Sequence, residues 1–146
     1  MKKVTVYTDG SCKFNPGPGG WAAVLLYGEN QKEISGGCLD TTNNKMELTA
    51  VIMALESLKE PCQVEVFSDS KYVVDSVTKR WVYSWQKNDW RKSDKSPALN
   101  SELWKKLLPL LEKHEVKFNW VKGHAENALN ERCDELAVAQ SQKYSK

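Results

Sequence analysis

Residues 4–9 read Val4-Thr5-Val6-Tyr7-Thr8-Asp9, and residues 63–69 read Gln63-Val64-Glu65-Val66-Phe67-Ser68-Asp69. In the first run Val4, Val6 and Thr8 alternate with Thr5, Tyr7 and Asp9. In the second, Val64 and Val66 share one face. A period of two is the signature of a β-strand with distinct faces. Both runs end in an aspartate. If the two strands are parallel neighbours, Asp9 and Asp69 emerge at one sheet edge, at the carboxyl ends where open α/β sheets bind ligands.

The rest of the chain supplies the elements that make such a pairing possible. Residues 10–20 contain Asn15-Pro16-Gly17-Pro18-Gly19-Gly20 and read as a loop. Residues 21–27 and 32–39 read as strands around a turn at Gly28-Glu29-Asn30. Helix-start chemistry at residues 41–44 precedes a helix over 46–58, and Pro61 closes that unit. After the strand at 63–68 comes a short helix over 70–78, then an aromatic and basic segment, 80–96, that is partly helical. Leu103, Leu107, Leu110 and Leu111 make 100–113 helical, with Pro109 expected to kink or split it. Residues 116–121 form a fifth strand, with Val116, Phe118 and Trp120 on one face. Residues 123–129 read as a loop, and 130–142 as the last helix. Short turns make the first three strands an antiparallel meander, and helical crossovers make the last two parallel to the first. The expected fold is α/β: one five-stranded mixed sheet with helices on both faces, in a single domain spanning 1–146.

Composition excludes several classes. The chain has 146 residues, 40% hydrophobic and 27% charged, as in an ordinary globular domain. It has no apolar run near the roughly 20 residues of a membrane helix. The basic start Met1-Lys2-Lys3 leads into a strand too short and polar for a signal core, which points to the cytoplasm. Cys12, Cys38, Cys62 and Cys133 are scattered without a C-x-x-C pair, so free thiols are expected rather than a zinc site. Net charge is only +2. Nucleic-acid binding therefore needs a local basic patch. One exists: Lys79, Arg80, Lys87, Arg91, Lys92 and Lys95 are interleaved with Trp81, Tyr83, Trp85 and Trp90.

Two further acids lie on apolar helix rows. Glu47 shares a row with Val51, Ala54 and Leu58, and Asp134 with Ala137 and Val138. Partly buried acids need protons, basic partners or metal. Each also has a structural alternative. Asp69 could cap the following helix, and Glu47 could close a capping box begun at Asn44. Asp9 could begin a turn with Gly10, and Asp134 could be solvated. It is the combination of four that points to a cation site.

The residues around these acids resemble the type 1 ribonuclease H family, in its compact bacterial form. The blocks are Tyr7-Thr8-Asp9-Gly10-Ser11-Cys12, the Asn15–Gly20 run, Thr41-Thr42-Asn43-Asn44-Lys45-Met46-Glu47-Leu48 and Ser68-Asp69-Ser70. They continue with Trp120-Val121-Lys122-Gly123-His124-Ala125 and Asn130-Glu131-Arg132-Cys133-Asp134-Glu135-Leu136-Ala137. The resemblance runs over residues 4–139, in the family's order.

It implies a ribonuclease H-like fold and an enzyme, a metal-dependent endonuclease that hydrolyses the RNA strand of RNA–DNA hybrids and leaves 5′-phosphate and 3′-hydroxyl ends. Asp9, Glu47, Asp69 and Asp134 are then the catalytic carboxylates, holding two Mg²⁺, or Mn²⁺, in a two-metal site. His124 assists proton transfer or product departure without ligating metal, a role suited to its near-neutral pKa. The resemblance further implies a monomer.

The same resemblance divides the substrate contacts between the strands. Gly10, Ser11, Asn15, Asn43, Asn44 and Glu47 face the RNA. Tyr72, Trp81 and Trp85 form a groove for the DNA strand, where flat rings pack on deoxyribose. Thr42 and Asn100 grip a DNA phosphate. Lys87, Arg91 and Lys92 supply sequence-independent phosphate attraction. The structural alternatives are turn and cap chemistry for Asn15, Asn43 and Asn44, and helix packing for Trp81, Trp85 and Trp90. Four positions depart from the family's pattern: Asp40 where Arg is common, Lys71 for a neutral side chain, Asp89 where Gly is frequent, and Pro109 within a helix. These departures bear on substrate grip more than on the four acids.

Overall fold

The structure is a computed structural model and describes residues 1–122 and 127–145. Five strands, β1 (Lys2–Cys12), β2 (Gly17–Tyr27), β3 (Asn30–Thr41), β4 (Cys62–Ser68) and β5 (Glu115–Trp120), form one sheet in the order β3-β2-β1-β4-β5. The β1–β2 and β2–β3 pairs are antiparallel, while β4 runs parallel to both β1 and β5. The expected meander with two parallel additions is therefore observed. The helices are α1 (Asn43–Glu56), α2 (Lys71–Thr78), α3 (Trp81–Lys87), α4 (Ser101–Lys113) and α5 (Ala128–Lys143).

Strand alternation builds two apolar layers. Val4, Val6, Ala23, Leu25, Val64 and Val66 pack with Leu48, Val51 and Leu55 of α1, and α4 closes this layer with Trp104, Leu107 and Leu108. Lying between the sheet and α4, α1 buries residues around most of its circumference, as a helix covered on two sides must. On the opposite face, Ala22 and Val24 are fully buried, as are Cys133 and Ala137 of α5. The Cys133 thiol donates to the Tyr7 carbonyl at 3.2 Å, which ties α5 to β1.

Three expectations need correction. Residues 10–20 are not one loop, because β1 continues through Cys12 and β2 starts at Gly17. The glycines there serve close packing rather than a turn. A Cβ on Gly20 would run into the Ala137 carbonyl oxygen and lie 2.6 Å from the Gln140 Cβ, so α5 can sit on β2 only where a side chain is missing. The last helix begins at Ala128, earlier than expected, because the Asn127 side chain caps it by accepting the Leu129 and Asn130 N–H groups. Pro109 does not split its helix, and α4 is continuous from Ser101 to Lys113. Pro109 and Lys105 are both exposed, so water can satisfy the Lys105 carbonyl that loses its amide partner. Asp89 adopts a left-handed backbone with φ of 57°, which explains why glycine suits that turn.

Candidate metal centre and nucleic-acid interface

Three of the four acids converge at the carboxyl edge of the sheet. The parallel register pairs Thr8 with Ser68, so the residues that follow, Asp9 and Asp69, stand side by side. Glu47 arrives from the first turns of α1. That helix can come so close because β1 carries glycine at position 10, where a Cβ would lie 2.6 Å from the Glu47 nitrogen. One carboxylate oxygen from each of Asp9, Glu47 and Asp69 lies within 4.8 Å of the others. Asp134, on α5, brings its carboxylate against Asp9 from the other face of the sheet.

Ser70, not Asp69, caps α2: its hydroxyl accepts the Val73 N–H at 3.3 Å. Thr42, not Asn44, caps α1 through the Lys45 N–H at 3.2 Å, so Glu47 is out of register for a capping box. Asp9 accepts the Gly10 N–H at 2.9 Å, yet β1 runs straight on and makes no turn.

The electrostatics are unfavourable for the free protein. Asp9 is 6% exposed and Glu47 9%. Burial, then the neighbouring Asp69 and Asp134, push the Asp9 carboxyl up to about 8, against the pull of the Gly10 N–H. Burial first, then Asp9 and Asp69, hold Glu47 well above the usual carboxylate range. Among the described residues, Glu47 Oε1 and Asp69 Oδ1 are buried without a hydrogen-bond partner. Acceptor atoms left unmatched inside a carboxylate cluster fit a hard divalent cation, which binds through oxygen and removes the repulsion.

Around the acids, the Asn15 side chain accepts the Asn43 N–H at 2.9 Å and so ties the β1–β2 loop to the start of α1. Gly10, Ser11, Thr42 and Asn44 flank the same junction, with Asn15 and Asn43 exposed. Asn15 thus has structural work, as its alternative reading held, and the cap expected of the asparagines is made by Thr42 instead; both residues keep accessible surface near Glu47. His124 lies outside the described residues.

A second cluster gathers Tyr72, Trp85 and Asn100. Its centre is Trp104, fully buried, which the sequence reading treated only as part of a leucine-patterned helix. The Tyr72 hydroxyl accepts from Trp104 Nε1 at 3.0 Å and from Asn100 Nδ2 at 3.1 Å, and donates to the Leu99 carbonyl at 3.4 Å. Trp85 meets Trp104 edge-on at 6.3 Å. Trp81 does not share this packing: it is 43% exposed, with the Lys79 ammonium 5.4 Å from its ring centre. Trp90 packs against the core, though from the turn after α3 rather than from the helix face that the alternative reading gave it. Lys87 ends α3, and Arg91 and Lys92 follow in a loop closed by the Lys92 N–H to Ser96 carbonyl bond at 2.8 Å; all three basic side chains are exposed.

Trp120 is a residue whose place the strand pattern did not reveal. Its indole N–H donates to the Asp69 carbonyl at 3.1 Å, fixing the backbone that carries a candidate ligand. A terminal tryptophan beside a strand-end aspartate was the available signal.

Comparisons with known proteins agree with this geometry. A family model described as RNase H matches residues 1–142. A ribonuclease H of Desulforamulus reducens is 56% identical over 139 residues, covering 95% of this chain and 87% of the relative. Among solved structures, a type 1 RNase H with the type 2 active-site motif superposes with a TM-score of 0.88 at 31% identity, over 99% of this chain and 74% of that one. An RNase H1 in complex with an RNA/DNA hybrid superposes with a TM-score of 0.75 at 28% identity, over 98% and 99% of the two chains. With nearly the whole chain matched in sequence and in fold, this protein belongs to the ribonuclease H family.

Proposed function

We propose that this chain, acting as one catalytic domain over residues 1–146 in the cytoplasm, hydrolyses the RNA strand of RNA–DNA hybrids and leaves 5′-phosphate and 3′-hydroxyl ends. The observation that carries the reading is the carboxylate cluster with its two buried, unpartnered oxygens, on Glu47 and Asp69. Asp9, Glu47, Asp69 and Asp134 would hold two divalent ions, Mg²⁺ or Mn²⁺. Such ions, when bound, supply an activated water and stabilise a departing oxygen.

The chain's own residues do the rest. Asp9 inside β1, Asp69 directly after β4 and Glu47 early in α1 would give three of the ligands rigid supports, so the cluster need not reorganise to act. His124 serves as a proton carrier for the leaving 3′ oxygen. Gly10, Ser11, Asn15, Asn43 and Asn44 face the RNA strand with backbone and side-chain polar groups able to read 2′-hydroxyls. Tyr72, Trp81 and Trp85 receive deoxyribose, and Thr42 and Asn100 a DNA phosphate. Lys87, Arg91 and Lys92 attract the backbone without reading sequence. The Tyr72 hydroxyl ties Asn100 to Trp104, on which Trp85 packs, and this favours a pre-formed surface at that part of the groove, with Trp81 standing apart.

The test is cleavage of labelled hybrid, double-stranded RNA and double-stranded DNA with Mg²⁺ and with EDTA. Cleavage of hybrid alone, abolished by EDTA, is expected. Preferential cutting of DNA, or turnover that survives EDTA, would sink the reading.

A further inference from the structure

Lys71 lies two residues beyond Asp69, at the first position of α2. Its ammonium is 4.8 Å from the centre of the Trp120 ring. Trp120 ends β5, where it pairs in register with Ser68, and is 45% exposed. Its N–H is committed to the Asp69 carbonyl. One indole therefore does two things: its edge holds the backbone at Asp69, and its face carries a cation. Among the described residues no carboxylate forms a salt bridge to Lys71, although acids crowd the neighbouring edge. An ammonium parked on a half-exposed aromatic face keeps its outer hemisphere free for an anion, and the ring limits where the flexible stem can put it.

We propose that Lys71 binds a backbone phosphate of the cleaved strand beside the carboxylate cluster, and that Trp120 is the residue that positions it. This inference rests on the proposed hybrid-cleaving site and adds to it a cation outside the basic segment that runs from Lys79 to Lys95. The acids at this edge repel a phosphodiester, and a fixed positive charge two residues away offsets that repulsion without neutralising the ligands themselves. Lys71 takes no part in bond making or breaking; it is a binding residue, with Trp120 behind it.

The experiment measures hybrid binding by fluorescence anisotropy in EDTA, where no cleavage is expected, across a salt series. Lys71→Gln is expected to weaken binding about 5-fold and to lower the slope of log K against log salt by ~0.9, the signature of one lost phosphate contact. Lys71→Arg should keep the wild-type slope. Neutral methylphosphonate linkages scanned along the RNA strand supply the second readout. At one linkage the neutral substitution and Lys71→Gln should be non-additive, and at the others additive. Trp120→Ala should reproduce the slope loss, and Trp120→Phe, which keeps a ring, should not.

An unchanged slope in Lys71→Gln, or additivity at every RNA linkage, overturns the phosphate contact. A full slope in Trp120→Ala overturns the positioning role. If Trp120→Ala does not fold, the Lys71 cycle still decides the main claim. The underlying site reading is checked separately by wild-type cleavage of hybrid with Mg²⁺. Should that fail, the site assignment is wrong; should it succeed while Lys71→Gln binds like wild type, only the present inference is lost.

Discussion

Asp9 and Asp69 stand beside each other because Thr8 and Ser68 are register partners in a parallel ladder. Carboxylates forced together at a buried sheet edge destabilise the free protein. The consequence can be measured through pH. The Asp9 carboxyl is raised from 3.8 to about 8 by burial and by Asp69 and Asp134. A group whose folded pKa lies above its unfolded value contributes stability fully below the unfolded value and loses it as pH rises through the folded one.

The metal-free protein should therefore lose Tm as pH is raised from about 4 to 8, and Asp9→Asn should flatten that decline. At pH 8 in EDTA the variant is expected to melt roughly 3–8 °C higher than wild type, at about 2–4 °C per kcal/mol for a chain of this size. Activity should fall at least ~100-fold in the same variant, with hybrid binding largely kept. Calorimetry across pH and a single-turnover assay check the two halves. A variant melting below wild type at pH 8, or turning over normally, contradicts the site.

Metal should reverse the destabilisation. Saturating Mg²⁺ binds the folded state only, so at 100-fold above Kd it stabilises by about 2.7 kcal/mol. The expected gain in Tm is roughly 5–10 °C for wild type. Glu47→Gln removes an oxygen charge from the cluster and should lose most of that gain while folding normally. Thermal melts with Mg²⁺, Mn²⁺ and EDTA provide the measurement; equal metal-induced shifts in both proteins would count against Glu47 as a ligand.

Tyr72→Phe should cost more than a surface change. It strips the acceptor from Trp104 Nε1, on a side chain that is 0% exposed, and from Asn100 Nδ2. Leaving buried donors unpaired costs about 1–3 kcal/mol. Because the hydroxyl joins the tryptophan cluster to Asn100, KM for hybrid should rise with kcat nearly unchanged. Denaturant melts and steady-state kinetics on the same preparation separate the two effects.

Neutralising Lys87, Arg91 and Lys92 together should raise KM and lower the salt slope of hybrid binding by ~2–3, at just under one unit per phosphate contact. Stability should hardly move, since all three side chains are exposed. A salt slope equal to that of wild type would remove the segment from the binding surface.

Much of the fold was legible in local pattern. The two-residue alternation of Val4, Val6 and Thr8, and of Val64 and Val66, identified strands and their buried faces, because a pleated strand must present alternate side chains to the core. The row of Glu47, Val51 and Ala54 correctly turned Glu47 inward. What local pattern misjudged was the meaning of Gly and Pro. Gly17, Gly19 and Gly20 looked like loop punctuation and are strand residues, two of them buried, because another element presses on them. Pro109 looked like a break and sits on a solvated face where its missing N–H costs little.

By itself, then, the sequence determined the element order, the alternation of faces and the presence of four acids in family-specific blocks, since these depend on neighbours along the chain. Only the tertiary structure removed the cap and turn alternatives for Asp9, Glu47 and Asp69. Ser70 and Thr42 take the caps and free Asp69 and Glu47 from that duty, while the Thr8–Ser68 register and the approach of α1 bring one oxygen each of Asp9, Glu47 and Asp69 within 4.8 Å of one another. It also placed the Trp120 indole under Asp69 and the Trp104 ring at the centre of the aromatic cluster. Those juxtapositions join residues far apart in the chain, and they arise from the parallel crossover and the burial of α1 between sheet and helix, which no local window of sequence contains.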